Sequence, residues 1–258
     1  MSLIWGSVMF LDTQWRHLIY GLSDKLLAFY LNGLSDTLPT PANLKLWKMT
    51  KLGVCALCKY NHCTLSHILN NCRVSLKSLR YNWRHDMVLR RLVAQIQPYL
   101  GVKRTRPTPR QFCTVEGKKY QGPVPIHITI HESLPEAADW QVLWDEDHRQ
   151  YVFPSHIANT PARPDITIWS DTLKVCVLAE LTVCWEENFQ SAHERKSNKQ
   201  LYTSLMTEGE INGWSMKYFP VEVGSRGVAS SSILHFYRYV GMSKEPPTLR
   251  PMKYASLL

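Results

Sequence analysis

Cys55-x2-Cys58, followed by His67 after eight residues and Cys72 after four more, gathers three thiols and an imidazole into one short stretch. Borderline-soft donors of this kind suit tetrahedral Zn²⁺, and a Cys-x2-Cys loop lets two sulfurs reach one ion from a tight turn. His62 and Cys63 lie inside the same loop and leave an exchanged ligand open. The alternative is a set of buried free cysteines that merely pack, which accounts less well for the clustering. From Leu52 to Cys72 the hydrophobic period is lost, as expected where an ion organises the backbone. Four protein ligands would close that ion, so its expected role is structural and nucleic-acid binding, with no open position for chemistry.

The seven cysteines of the chain are an odd number, which argues against a disulfide framework. Met1 to Leu11 is apolar but lacks a basic n-region, and Asp12, Gln14, Arg16 and His17 end the run short of a spanning length. A reducing, intracellular compartment is expected, with no signal peptide and no membrane helix.

The formal charge of +9 is concentrated. Between Arg73 and Arg110, Lys77, Arg80, Arg84, Arg90, Arg91, Lys103, Arg104 and Arg106 add to those two basic ends, against the single acid Asp86. Such a stretch points to a polyanion partner, with a solvated helix face and basic linker as the alternative. Lys77, Arg80, Arg84, His85, Arg90 and Arg91 are the expected nucleic-acid contacts.

A 45% hydrophobic content with nine Trp in 258 residues predicts folded domains. Residues 1–50 read as a helical lead-in, with helical spacing over 2–31, Gly33 as its C-terminal cap and Leu38-Pro39-Thr40-Pro41 ending it. Trp5 and Trp15 in it are expected in a core. Residues 51–73 form the metal knuckle. Over 74–99 Leu76, Leu79, Trp83 and Met87 line one helical stripe, expected to pack, while the basic residues line another. Four prolines between Gly101 and Pro125 make the linker that completes the 74–125 segment.

Residues 126–245 change style. Ile126–Ile130 alternates like a strand; Asp165–Trp169 and Leu173–Trp185 are β-branched runs separated by Ser170-Asp171-Thr172, which predicts a hairpin. Residues 186–207 return to helical spacing, Met216–Val223 to strand and Ile233–Val240 to helix, and 246–258 is a tail. The fold class expected is α+β or α/β, a central mixed sheet flanked by helices behind a helical lead-in and knuckle.

Glu180 sits inside an otherwise apolar strand, where an acid is costly to desolvate unless it is paired or binds a metal. A hairpin could bring it to Asp165, which opens the preceding strand. Two convergent carboxylates make a hard oxygen site for Mg²⁺ or Mn²⁺, which can activate water beside a phosphodiester. Position 182 is Thr, but the following helix offers Lys196 and Lys199 on one face, with Arg195 and Tyr202 nearby. The competing reading pairs Glu180 with Lys196 or Arg195 as an ion pair alone.

In this order the segments resemble the C-terminal region of site-specific non-long-terminal-repeat retrotransposons that carry a restriction-like endonuclease of the PD-(D/E)-x-K superfamily. Leu38-Pro39-Thr40, Asn43-Leu44 and Trp47 precede the knuckle. Arg84-His85-Asp86 follows it, then Arg163-Pro164-Asp165, Glu180-Leu181-Thr182, Lys196, Lys199 and Tyr202. Pro220-Val221-Glu222-Val223-Gly224 and Gly227 close a likeness spanning roughly residues 36–230.

The resemblance implies that Asp165 and Glu180 hold the catalytic metal, that Lys196 is the catalytic lysine with Lys199 as second candidate, and that the substrate is DNA, nicked to prime reverse transcription. It implies a nuclear setting, with element RNA as a further partner. The chain has no Tyr- or Phe-x-Asp-Asp polymerase motif, so a fragment or truncated copy is expected. Its other partners would then be a second copy or a reverse transcriptase supplied elsewhere. The alternative function is a catalytically inactive nucleic-acid-binding knuckle protein derived from such an element.

Overall fold

The computed structural model describes residues 22–100, 133–145, 151–198 and 200–242. The linker, the strand expected over Ile126–Ile130, the start of the lead-in with Trp5 and Trp15, Lys199 and the tail lie outside them.

The described lead-in is two helices, α1 (Asp24–Leu34) and α2 (Pro41–Leu46). Gly33 is inside α1 and buried rather than its cap; Ser35 takes that place, its hydroxyl donating to Leu31 O at 2.9 Å. Thr40 caps α2 by accepting from the Asn43 amide at 3.3 Å, and Pro41 enters at the first turn, where a missing N–H costs nothing. Past the knuckle come α3 (Arg73–Lys77) and α4 (Arg80–Leu100).

The single helix expected over 74–99 is therefore broken. Leu79 sits at φ 59, in the left-handed region a bulky residue avoids, and the break resets the helical phase. As a result Leu76, Leu79 and Trp83, expected to pack, are 58%, 57% and 46% exposed. The packing face of α4 is instead Val88, Leu89, Leu92, Val93 and Ile96, which join the main core. The basic helix belongs to the sheet domain and is not a separate arm.

That sheet has four strands in the order β1 (Gln141–Trp144), β2 (Ile166–Ser170), β3 (Val175–Cys184) and β4 (Ser215–Gly224). The expected β2–β3 hairpin is present and antiparallel, with Ile166 opposite Ala179. Asp139 secures its turn, accepting from the Ser170 hydroxyl at 2.7 Å and the Thr172 amide at 2.9 Å. β4 runs parallel to β3. A parallel return needs a crossover, supplied by α5 (Phe189–Ser197) and α6 (Gln200–Ile211).

Alternation sorts the inner strand β3 onto two cores. Val177, Ala179 and Leu181 face α4 and α7 (Ser231–Val240), while Cys176 and Leu178 join Tyr202, Leu205, Trp214 and Met216 on the other face. Glu180 continues the second set. The mixed α/β sheet flanked by helices is thus as the sequence predicts.

Arg226 ties the lead-in to the end of the sheet: it pairs with buried Glu186 at 2.8 Å, donates to Leu34 O at 2.9 Å and lies 4.2 Å from the Trp185 ring centre. Gly224 has no room for a side chain, since a Cβ there would collide with Glu186.

Candidate functional site

The knuckle brings the four expected ligands together. The Sγ atoms of Cys55, Cys58 and Cys72 and a ring nitrogen of His67 all lie within 4.8 Å of one another, and all four residues are buried. With metal–sulfur bonds of about 2.3 Å, tetrahedral ligand atoms sit about 3.8 Å apart, so the donor set and its spacing fit zinc. Among the described residues it is the one such group of three or more His, Cys, Asp or Glu.

Local sequence explains the convergence. The turn after Cys58 closes with Lys59 at φ 64, the Cys55 amide donating to Tyr60 O at 2.8 Å. His67 opens a π-helical turn, His67–Asn71, that delivers Cys72 to the start of α3. Burial alone would raise the Cys72 thiol, but the Ser75 amide and hydroxyl and the Val74 amide outweigh it and bring it down to about 7. Burial lowers the His67 imidazole, favouring the neutral ring a metal needs. Cys63 is buried beside the cluster without belonging to it; burial, then its hydrogen bond to Cys55, pushes its thiol up to about 12. His62 is likewise outside the converging set.

The knuckle is fastened to α4. Tyr81 accepts from the Cys72 amide at 2.9 Å and donates to Ile68 O at 3.1 Å. Arg84, expected on the phosphate-binding face, is instead 8% exposed and donates to Leu69 O at 2.6 Å and Asn70 Oδ1 at 3.2 Å. The Leu69 carbonyl, left over in the π-turn, and the Asn70 side-chain oxygen are what draw the guanidinium inward. Lys77, Arg80, Arg90 and Arg91 remain exposed. A cavity of about 680 Å³ beside the knuckle adds Lys59, His62 and Arg73 to the basic surface.

The second cluster lies where β2 begins, with Glu180 meeting α5 and α6 and Asp165 meeting α4. The hairpin register sets Asp165, one residue before Ile166, opposite Glu180. Asp165 Oδ2 accepts from the Leu181 amide at 2.6 Å. Glu180 is 5% exposed, with Lys196 Nζ 2.5 Å from Oε1 and the Tyr202 hydroxyl 2.5 Å from Oε2. Burial and then the Glu180 charge push the Tyr202 phenol far up, so it stays a donor.

Sequence reasoning put His85 among the phosphate contacts, and the fold puts it here. Its Nε2 lies 3.4 Å from Asp165 Oδ2 and its Nδ1 3.1 Å from Asp86. Burial pulls the imidazole down, but the hydrogen bond and charge of Asp165, then those of Asp86, outweigh it and hold it at about 9. The sequence reading also passed over Glu222, 2% exposed in β4, and its partner His193 on α5. The signal that singled out Glu180, an acid within an apolar strand, was present there too.

Asp165 and Glu180 supply hard carboxylate oxygens of the kind Mg²⁺ or Mn²⁺ takes, and each carboxylate oxygen keeps lone pairs beyond the hydrogen bonds described. No known protein family matches the chain, and no curated protein does.

Proposed function

We propose that the chain is a metal-dependent DNA endonuclease of the restriction-like, PD-(D/E)-x-K kind, the nicking module of a retrotransposon, with a zinc-stabilised knuckle beside it. The observation that carries this reading is the backbone register that sets Asp165 opposite Glu180, together with the pairing of Glu180 with Lys196. The ion pair on its own would also satisfy Glu180. It would not explain why a second acid is placed opposite, with a histidine against it.

Asp165 and Glu180 would hold Mg²⁺ or Mn²⁺. Bound there, the metal would activate water and offset charge on the phosphodiester. The Leu181 amide fixes the rotamer of Asp165, and the protonated Tyr202 hydroxyl fixes that of Glu180. Lys196 would stand in for the strand lysine of that kind, two residues after Glu180, where Thr182 stands. From there it stabilises the negative charge that develops at phosphorus.

The exposed Lys77, Arg80, Arg90 and Arg91 and the basic rim of the knuckle would hold the DNA backbone, making binding salt-sensitive. The nucleus is where such a substrate is met. Plasmid binding and nicking by the purified chain, measured in parallel with Mg²⁺ and with EDTA, test the proposal. Metal-dependent nicking that Asp165→Ala abolishes while binding persists is the expected result. Binding without nicking under any divalent ion would favour an inactive nucleic-acid-binding protein instead.

A further inference from the structure

Glu222 poses the same problem as Glu180 and meets a different solution. It is buried in β4 between Val221 and Val223. Ser232 Oγ donates to its Oε2 at 2.5 Å, and His193 Nδ1 lies 3.2 and 3.3 Å from its two oxygens. The backbone is held as well: the Ser230 hydroxyl donates to Glu222 O at 2.7 Å, and the Glu222 amide donates to Ser232 Oγ at 3.1 Å. With the Glu222 oxygens accepting from Nδ1 of His193, the neutral ring is the tautomer that keeps a lone pair on Nε2. The imidazole is 43% exposed, and Nε2 has no protein partner among the described residues.

This dyad shares the face of the carboxylate site. His193 and Lys196 are three apart on α5 and project to the same side. Lys196 holds Glu180; Pro220 of β4 is opposite Glu180, and Glu222 is opposite Thr182. With about 3.3 Å of rise per residue and about 4.8 Å between strands, the backbones of Glu180 and Glu222 are roughly 8 Å apart.

We infer that His193 is the general base of the strand cut proposed above, with Glu222 as its positioning residue; the inference rests on that reading. As the water oxygen forms its bond to phosphorus, its proton passes to Nε2. The bridging P–O bond breaks, its electron pair stays on the departing oxygen, and that oxygen takes a proton from solvent. The imidazolium then returns its proton to solvent. Glu222 holds the ring in the tautomer that leaves Nε2 free to accept.

If His193 served only to satisfy buried Glu222, any side-chain donor would do, and a Gln amide is one. The test is Mg²⁺-dependent nicking of supercoiled plasmid by the full chain and by His193→Gln, His193→Ala and Asp165→Ala, with and without free imidazole. Both His193 variants are expected to bind plasmid like wild type and to nick about 100-fold more slowly or worse. Free imidazole should restore part of the rate of His193→Ala and none of that of Asp165→Ala. Wild-type rates in His193→Gln, with Asp165→Ala inactive, would overturn this assignment alone. No nicking by wild type, or undiminished nicking by Asp165→Ala, would overturn the nuclease reading and this inference together.

Discussion

Lys196 Nζ lies 2.5 Å from Glu180 Oε1, joining a crossover helix to β3, an inner strand of the sheet. The lysine arrives from α5; Thr182, two residues after Glu180 on the same strand, has a hydroxyl that is buried with no hydrogen-bond partner among the described residues.

Removing that lysine should be costly for the fold as well as for chemistry. Lys196→Met removes the cation paired with buried Glu180, a loss of about 3 kcal/mol. Urea unfolding would show it as a fall in midpoint with an unchanged slope. The double variant with Glu180→Gln should recover part of the loss, since neither charge is then stranded. An unchanged midpoint for Lys196→Met would contradict the pairing.

Zinc content separates the converging ligands from their neighbours. Cys72→Ser should lose the metal and with it the fixed end of the π-turn, and Cys63→Ser should keep about one zinc per chain. Elemental analysis of the two purified variants decides this. Loss of zinc in both would place Cys63 in the ligand set.

Much of this arrangement is legible in the residues, and the exceptions have physical causes. The Cys–His spacing names its four ligands because an ion demands a particular donor chemistry. The β2–β3 hairpin shows through alternation and turn residues. The α3–α4 break at Leu79 does not, because nothing in the sequence announces a left-handed leucine, and missing it misplaces the packing stripe. Arg84 and His85 read as surface charge because periodicity reports which face a residue is on. It does not report that a π-turn carbonyl waits for one or that Asp165 waits for the other.

The contrast among arginines is measurable. Arg84→Ala removes charged donors from buried carbonyl groups and should cost about 2–3 kcal/mol in unfolding free energy. Arg80→Ala and Arg91→Ala, both exposed, should leave stability within about 0.5 kcal/mol and lower the salt slope of DNA binding by about one each. A stable Arg84→Ala chain with a reduced salt slope would put that side chain back on the DNA.

Acid should loosen the hairpin turn. Hydrogen bonds from the Ser170 hydroxyl and then the Thr172 amide hold the Asp139 carboxyl down at about 2, below its ordinary 3.8. A depressed carboxyl stabilises the fold fully above the ordinary value, and its contribution fades as pH falls from about 4 through about 2. Asp139→Asn should therefore melt lower than wild type at pH 7, with the gap closing toward pH 2. A gap that stayed constant across that window would show that the charge of Asp139 is not what secures the turn.

The most direct measurement is the Mg²⁺-dependent nicking rate of Glu180→Gln beside wild type, with plasmid affinity recorded for both. The amide keeps the shape of the side chain and its place in the sheet but gives up the anionic oxygen a divalent metal needs. The account predicts retained binding with nicking reduced to the level seen in EDTA. Nicking by Glu180→Gln at the wild-type rate would contradict it and leave Glu180 with a structural role, paired with Lys196 and Tyr202.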